Sequence, residues 1–328
     1  MFGQKEDSVR RLSKKDRERS RLILGIALNL QEVRKVYPNG TEALRGIDLV
    51  IQEGEAIGLI GPNAAGKTTL AKLVIGLLEP TSGRIELWGS RFGQLPRSMR
   101  EKIGFLPEGG SPFESLTVEE NIIFWEKLYG ISKIRGEEAL KEWGLWEFRK
   151  KRAKTLSQGM KRRLMIAQVT LHQPSLLVMD EPTSSLDPVV RRNTVDLLRG
   201  FANSERTLLI TSHDLFDVER ICTRIVILRH GLILAQGSME ELQRKLGATQ
   251  QVRVETSVPI PEALRESLEE RFGIESTSPN EFFLPQGHNR GELIRFLVES
   301  GVDINLVEEK KETLEDIYIK MVKEDEER

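Results

Sequence analysis

One short stretch, GLIGPNAAGKTTL at residues 58–70, restricts the possible fold of this chain more than any other. Gly61, Gly66, Lys67 and Thr68 fit the pattern G-x-x-x-x-G-K-[ST], in which a glycine-rich loop joins a strand to a helix. EAIGLIG before the loop predicts a strand, and TTLAKLVIGLL after it predicts a helix. This is the context of a phosphate-binding loop, because backbone N–H groups and the positive helix end attract phosphate oxygens.

The loop carries the groups needed to hold a triphosphate and a metal ion. Lys67 places a positive charge at the β- and γ-phosphates, and the Thr68 hydroxyl is a candidate Mg²⁺ ligand. Ala64 replaces a frequent glycine. If a positive φ is needed there, alanine costs about 1–2 kcal/mol, which the other contacts of the loop can offset. The remaining residues expected to contact the phosphates are Gly61, Pro62, Asn63, Ala65, Gly66 and Thr69.

Predicted strands and helices alternate from about residue 26 to residue 246. GRIELWG and KIGFLPE predict strands, and LTVEENIIFWEKLYG predicts a helix that begins with a capping box of Thr117 and Glu120. SLLVMDEP and RTLLITSH are short, almost continuous apolar runs, as expected for strands buried on both faces of a parallel sheet. The pattern predicts an α/β layered domain.

Three polar side chains follow the last two of these apolar runs. Asp180 ends one run, where its carboxylate can hold Mg²⁺ through water, and the adjacent Glu181 can polarise the attacking water. His213 ends the next run. Adjacent acids after a strand are usually a solvated turn, and a histidine at a strand end is usually an ordinary surface residue. Because Asp180, Glu181 and His213 follow a phosphate loop along the same chain, a catalytic role for them is favoured.

The stretch LSQGMKRRLMIAQ, ahead of Asp180, places Ser157 and Gly159 at the start of a predicted helix. A serine that caps a helix is ordinary by itself. Taken in order with the phosphate loop, the acid pair and His213, however, the stretch resembles the signature of the ATP-binding cassette family. The resemblance covers residues 26–246 without interruption.

The resemblance implies both a fold and a mechanism. The fold would be that of a P-loop NTPase, with a RecA-like core, a helical subdomain and an antiparallel β subdomain. Two copies would close head to tail on ATP and Mg²⁺, and each would complete the site of the other. Tyr37 in KVYPNG would stack on adenine, although an ordinary tyrosine of a turn or core is the alternative.

The same resemblance assigns the residues that act between the two copies. Ser157, Gln158 and Gly159 would reach the γ-phosphate held by the Lys67 of the second copy. Asp187, in SSLD, would couple the two sites across the dimer, and His213 would sense the γ-phosphate.

Three departures from the family pattern indicate one of its branches. Glu108 follows KIGFLP where most cassettes have glutamine. Its carboxylate can still bind Mg²⁺ or water, so Glu108 is a candidate metal ligand. Because it lacks the amide donor of glutamine, we expect it to contribute less to catalysis. The signature reads LSQGM instead of LSGGQ, and Ala64 is the third departure. These features resemble the ATPase subunits of type-2 exporters of drugs, sodium, lipid-linked products or polysaccharides.

The sequence predicts a division into three parts: a basic tail at 1–23, a nucleotide-binding domain at 24–247 and a small α+β domain at 248–328. Residues 1–21 hold eight Lys/Arg and four Asp/Glu, which predicts a solvated tail, with a membrane-surface or RNA contact as the alternative. In the last part, VRVETSV, NEFFLP and VDINLVEE predict strands, and PEALRESLEERF, RGELIRFLVESG and ETLEDIYIKMV predict helices.

Charge and composition limit the partners. A formal net charge of −1 gives no overall attraction to nucleic acid, and the single Cys222 cannot form an internal disulfide. No apolar run approaches the roughly 18–20 residues that cross a bilayer. Any contact with a membrane must therefore go through a partner. The resemblance implies that this partner is a separate transmembrane permease, which would hold an ATPase subunit at the cytoplasmic face of the membrane, and we expect no direct nucleic-acid contact.

Two alternatives remain open at this point. One is a soluble cassette ATPase acting on the ribosome or on nucleic acid. Such proteins usually carry two cassettes or a long coiled-coil insertion, and this chain has one cassette and no heptad stretch. The other is a nucleotide-dependent regulator that does not hydrolyse ATP, against which the presence of Glu181 and His213 argues.

Overall fold

The structure, a computed structural model, describes residues 25–184, 186–201, 206–245, 251–274, 276–278, 280–284, 289–310 and 313–326. The chain divides into two compact units between Met239 and Glu240. The boundaries expected after residues 23 and 247 stay predictions, and the basic tail lies outside the described residues.

Ten strands and seven helices are described in the first unit. The strands are β1 (Ile26–Val36), β2 (Glu42–Gln52), β3 (Ala56–Ile60), β4 (Ser82–Leu87), β5 (Ser90–Arg91), β6 (Ile103–Leu106), β7 (Leu176–Asp180), β8 (Thr207–Ser212), β9 (Arg224–Arg229) and β10 (Leu232–Gly237). The helices are α1 (Lys67–Val74), α2 (Arg97–Arg100), α3 (Val118–Tyr129), α4 (Lys133–Glu142), α5 (Gln158–Thr170), α6 (Pro188–Phe201) and α7 (Leu215–Ile221).

The central sheet has the strand order β10-β9-β3-β8-β7-β6, and only β10 at its edge is antiparallel to its neighbour. Every residue of β3, β7 and β8 is buried, which for β7 and β8 confirms the prediction made from their continuous apolar runs. Alternate residues of β7 enter different cores: Leu177 and Met179 pack with one cluster, and Leu176 and Val178 with the other. The predicted α/β architecture is confirmed.

Parallel strands bring distant residues to one edge of this sheet, because the carboxyl ends of such strands lie together. The phosphate loop follows β3, Glu108 follows β6, Asp180 ends β7 and His213 follows β8. The topology therefore assembles the predicted site from four separate segments.

A second sheet of the first unit is antiparallel, with the order β2-β1-β4-β5. Leu30 of β1 lies opposite Leu49 on one neighbour and Ile85 on the other, and all three side chains are buried. This sheet is the antiparallel β subdomain expected from the resemblance.

Two glycines join the antiparallel sheet to the phosphate loop. Gly66 has φ 107°, and a Cβ there would lie 2.6 Å from the carbonyl oxygen of Ala43. Gly231, in the turn between β9 and β10, has φ 75°, and its Cβ would lie 2.7 Å from the same oxygen. Gly231 also donates its N–H to the carbonyl of Ala65 at 3.2 Å. Only glycine fits these positions, because both the backbone conformation and the space exclude a side chain.

The helical subdomain contains α3, α4 and α5. α3 begins with the predicted capping box: the Glu120 N–H donates to the Thr117 hydroxyl at 3.2 Å, and the Thr117 N–H donates to the Glu120 carboxylate at 2.7 Å. Val118 and Ile122 bury the inner face of α3. No helix in the described part of the chain is both long and apolar enough to cross a bilayer.

The second unit is a small α+β domain. Its strands are β11 (Gln251–Thr256), β12 (Ser276–Ser278), β13 (Glu281–Leu284) and β14 (Ile304–Lys310), and its helices are α8 (Met239–Lys245), which begins at the boundary, α9 (Glu262–Phe272), α10 (Arg290–Glu299) and α11 (Leu314–Glu326). The antiparallel order β12-β13-β11-β14, with α9 and α10 in the connections, is a split β-α-β-β-α-β arrangement. Strands β11, β13 and β14 and helices α9, α10 and α11 lie where the sequence predicts them, whereas β12 and α8 were not predicted.

Candidate active site

An open cleft of about 640 Å³ lies at the carboxyl edge of the central sheet. Its lining residues are Tyr37, Thr41, Glu42, Ala43, Asn63, Ala64, Ala65, Gly66, Lys67, Thr68, Thr69, Glu108, Glu181 and His213. The structure thus brings together most of the residues that the sequence predicts for a nucleotide site, although they come from distant parts of the chain.

The phosphate loop has the conformation expected from its sequence. Ala64 has φ 65°, so the strained position anticipated for an alanine in place of glycine is present. Lys67 extends back along the loop, and its Nζ donates to the carbonyl of Gly61 at 2.7 Å and to that of Pro62 at 3.2 Å. Gly61 and Pro62 therefore act through Lys67 rather than as lining residues.

The charge on Lys67 faces three carboxylates. Burial lowers the pKa of Lys67, while Glu181, Asp180 and Glu108 oppose that shift by favouring the ammonium form. A triphosphate brings further negative charge to this cleft. Its binding therefore calls for a cation beside Lys67.

Asp180 and Thr68 form a place for such a cation. The Asp180 carboxylate is buried and accepts a hydrogen bond from the Thr68 hydroxyl at 3.2 Å. No group of three or more His, Cys, Asp or Glu side chains that could hold a metal occurs among the described residues. A single carboxylate and a hydroxyl fit Mg²⁺, which usually takes one or two protein carboxylates and completes its shell with phosphates and water.

Thr211 is a site residue that the sequence reasoning missed. Its hydroxyl donates to Asp180 Oδ1, and it also accepts from the Glu181 N–H at 3.2 Å. Thr211 lies directly opposite Asp180 in the parallel register of β7 and β8. That register was the signal that could have found it, because neighbouring strand ends share one edge.

Glu181 is held in an uncommon backbone conformation and points toward His213. Its φ is 49°, in a region that residues other than glycine seldom adopt. The side chain is 8% exposed, and its Oε2 lies 2.9 Å from Nδ1 of His213, which is 64% exposed. The pair places a buried carboxylate and an accessible imidazole side by side on one wall of the cleft.

Tyr37 lies on the other side of the phosphate loop. Its hydroxyl is 3.1 Å from the Thr69 hydroxyl, and the Lys35 ammonium lies 5.6 Å from the centre of its ring. An aromatic ring fixed at the rim of a phosphate site offers a stacking surface for a nucleobase.

Ser157, Gln158, Gly159 and Asp187 are described but are not among the residues that line this cleft. Ser157 caps α5 by accepting the Met160 N–H at 3.2 Å, and Asp187 accepts the N–H groups that begin α6. Within one chain Ser157 and Asp187 therefore have ordinary capping roles, and Gly159 is buried in the first turn of α5. The expectation that they act on a second copy stays a prediction.

Comparisons with known proteins agree with this geometry. The family model described as ABC transporter matches residues 44–184, and the model described as ATP-binding protein DrrA1-3-like, C-terminal domain, matches residues 237–322. The chain is similar to the uncharacterized ABC transporter ATP-binding protein YxlF of Bacillus subtilis (strain 168), with 35% identity over 304 residues that cover 90% of this chain and 99% of the relative. It is also similar to the Nod factor export ATP-binding protein I of Rhizobium sp. (strain N33), with 35% identity over 66% of this chain and 72% of the relative.

Solved structures of ABC transporter ATP-binding proteins are also similar to this chain. The chain resembles an ATP-binding subunit of an ABC transporter with a TM-score of 0.62 and 30% identity, over 68% of this chain and 94% of that one. It also resembles the dimeric post-hydrolysis state of the ATP-binding cassette MJ0796 bound to ADP and Pi, with a TM-score of 0.58 and 26% identity, over 64% and 98% of the two chains.

Proposed function

Because this chain belongs to the ABC transporter family as an ATP-binding and ATP-hydrolysing subunit of an exporter-type transporter, we propose how its residues bind and cleave ATP and how the energy reaches a membrane partner. The observation that carries the proposal is the convergence of Lys67, Thr68, Asp180, Glu181 and His213 on one cleft. The full-length similarity to a transporter ATP-binding protein favours transport over a soluble ribosomal factor or a regulator.

The phosphate loop binds the triphosphate. Its N–H groups and the start of α1 face the phosphate oxygens, and Lys67 exchanges its bonds to the Gly61 and Pro62 carbonyls for phosphate oxygens. The Gly61–Thr69 loop thus positions ATP, while Tyr37 stacks on the adenine ring. Positioning and charge neutralisation are the main contributions of protein to phosphoryl transfer.

Thr68 and Asp180 would hold Mg²⁺, with Asp180 acting through water and Glu108 as a further ligand. When bound, the metal ion neutralises negative charge on the β- and γ-phosphates. Glu181 polarises the attacking water, because its buried carboxylate lies beside the γ-phosphate end of the loop. His213 donates to a γ-phosphate oxygen, since its imidazole is already oriented by Glu181.

A second copy of the chain completes the site. Ser157, Gln158 and Gly159 of one copy contact the γ-phosphate bound by the other, and Asp187 links the two sites. The dimeric form of the similar cassette MJ0796 supports this arrangement. In a single chain Ser157, Gln158 and Asp187 are exposed at helix starts, where a partner can reach them, whereas Gly159 is buried.

The membrane partner contacts an apolar surface on the helical subdomain, and it holds the subunit at the cytoplasmic face of the membrane. This surface, named here the α3 patch, consists of Phe113, Phe124 and Leu128, which are 46%, 43% and 59% exposed. The rings of Phe113 and Phe124 pack edge to face at 4.9 Å, so the patch is already ordered for contact. Exposed apolar patches of this kind mark protein interaction sites.

Replacing Phe124 by glutamate is expected to detach the subunit from its membrane partner, because a charge in the centre of an apolar contact cannot be desolvated cheaply. After solubilisation of membranes, the wild-type chain should co-purify a polytopic protein, and Phe124→Glu should recover at least about tenfold less of it. Leu77→Glu, at a site that is 64% exposed on the same unit, is the matched control. Equal recovery with both variants would contradict the assignment of the α3 patch.

Replacing Glu108 by glutamine is expected to raise the apparent ATP affinity about two- to tenfold, because one of the three acids facing the triphosphate loses its charge. The amide keeps an oxygen that can face Mg²⁺ and gains a donor. Titration with a fluorescent ATP analogue at several Mg²⁺ concentrations measures the change. A weaker affinity that extra Mg²⁺ restores would instead make Glu108 an indispensable metal ligand.

A further inference from the structure

Arg162 is the only buried arginine among the described residues, with 7% of its surface exposed, and it lies in the first half of α5. All five of its N–H donors are used by backbone carbonyls. Nε donates to Pro182 at 3.1 Å, Nη1 to Pro107 at 2.8 Å and Glu108 at 3.2 Å, and Nη2 to Asp180 at 2.8 Å and Glu181 at 2.7 Å.

The positions of these carbonyls have a common pattern. The carbonyls of Asp180 and Glu181 belong to the two peptide planes on either side of the Glu181 Cα. Because peptide groups are planar, holding both carbonyls fixes both backbone dihedrals of Glu181. The carbonyls of Pro107 and Glu108 flank the Glu108 Cα in the same way. One guanidinium therefore restrains the backbone of two acids of the cleft.

Glu181 needs such restraint, because its φ of 49° is disfavoured for a residue with a Cβ. The Ser184 hydroxyl also donates to the Glu181 carbonyl at 3.0 Å, and the Glu181 N–H donates to the carbonyl of Thr211 in β8 at 3.1 Å. Burial lowers the pKa of Arg162 to about 10, so the guanidinium stays charged at neutral pH and its hydrogen bonds are charge-assisted.

We propose that Arg162 is a positioning residue for ATP hydrolysis, which holds the backbones of Glu181 and Glu108 at a fixed spacing so that both acids face the same γ-phosphate. Arg162 does not line the cleft, and it acts through these two residues. The inference rests on the proposed function of Glu181 and Glu108. It also means that Arg162, in α5, joins the end of β7, where Asp180 and Glu181 lie, to the segment that runs from Glu108 to Phe113 of the α3 patch.

The test compares two substitutions at Arg162 in the full-length chain with its membrane partner. Arg162→Gln is expected to lower kcat about 10- to 100-fold, the usual effect of misplacing a reacting group by about 1 Å. Arg162→Lys should lower kcat less, because an ammonium has three donors for five carbonyls. The Kd for MgATP should change less than about twofold, because neither substitution reaches Lys67 or the phosphate loop.

Arg163 offers a matched control on the same helix. Its Nη1 donates to the Trp143 carbonyl at 3.2 Å, inside the helical subdomain, and no hydrogen bond joins it to Glu108 or Glu181. Arg163→Lys should therefore keep the wild-type kcat. Thermal melting without nucleotide shows which variants are folded. If Arg162→Gln does not fold, Arg162→Lys, which keeps the charge and most of the side-chain length, decides the question.

A reduced kcat with unchanged Kd in Arg162→Lys supports the proposal. A wild-type kcat in that variant, or an equal loss of binding and turnover, overturns it. The restraint of Glu108 by Arg162 is tested separately. The change in ATP affinity caused by Glu108→Gln should be smaller when Arg162→Lys is also present, and additive effects of the two substitutions would overturn this part of the proposal. Wild-type turnover is measured in the same preparations. If the wild-type chain itself did not hydrolyse ATP, the proposed function would fail instead.

Discussion

Replacing Glu181 by glutamine is expected to lower kcat for ATP about 10²- to 10⁴-fold while leaving MgATP binding intact. Glutamine keeps the size of the side chain and an oxygen for the 2.9 Å contact that Glu181 Oε2 makes with Nδ1 of His213. It also keeps the backbone bonds that hold the disfavoured φ at this position. The basicity that polarises the attacking water is lost together with one negative charge, so MgATP should bind at least as tightly as in the wild-type chain.

The unhydrolysed nucleotide in this variant should trap two copies in a closed dimer. Size-exclusion chromatography with saturating MgATP would then show a dimer for Glu181→Gln and a mixture dominated by monomer for the wild-type chain. Glu147→Gln, at an exposed position in the helical subdomain, serves as the control and should behave like the wild type. Wild-type turnover in Glu181→Gln would remove Glu181 from its catalytic role.

Replacing Lys67 by alanine is expected to weaken nucleotide binding about 10- to 100-fold, the usual effect of losing a charge-assisted hydrogen bond worth about 1.5–3 kcal/mol. Hydrolysis should fall further, because the same ammonium neutralises charge that develops on the γ-phosphate. Alanine also leaves the carbonyls of Gly61 and Pro62 without their donor, so the loop itself is less restrained.

Isothermal titration with ATP and a steady-state ATPase assay would separate the two effects of Lys67→Ala. Lys72→Ala is the matched control, because Lys72 is a partly buried lysine in the last turn of the same helix and is not among the cleft residues. An unchanged Kd together with unchanged turnover in Lys67→Ala would mean that ATP binds elsewhere.

The parts of the fold that depend on local sequence could be predicted. The phosphate loop, the buried strands β3, β7 and β8, and the capping box of Thr117 and Glu120 all follow from patterns within about fifteen residues. The positive φ of Ala64 was also foreseeable, because the pattern usually has glycine there. In these segments the backbone conformation and the side-chain pattern depend on the same few neighbours.

Arg162 and Thr211 could not be found in the same way. In the sequence Arg162 belongs to the run KRR, and nothing in that run distinguishes the buried arginine from its half-buried neighbours. Its role depends on carbonyls at two distant strand ends, which only the parallel sheet brings together. Ser157 and Gly159 present the opposite case. The sequence indicates a role for both, but in one chain alone Ser157 is only a helix cap and Gly159 is a buried residue of the first helical turn.

The shared contact of Gly66 and Gly231 with one oxygen of Ala43 has a consequence for protein engineering. Three segments that are far apart in the chain meet there without room for a single added methyl group. Grafting the phosphate loop onto a different scaffold would therefore require the segments around Ala43 and Gly231 to be grafted as well. Natural insertions or deletions in any one of these three segments should be tolerated only when compensating changes occur in the other two.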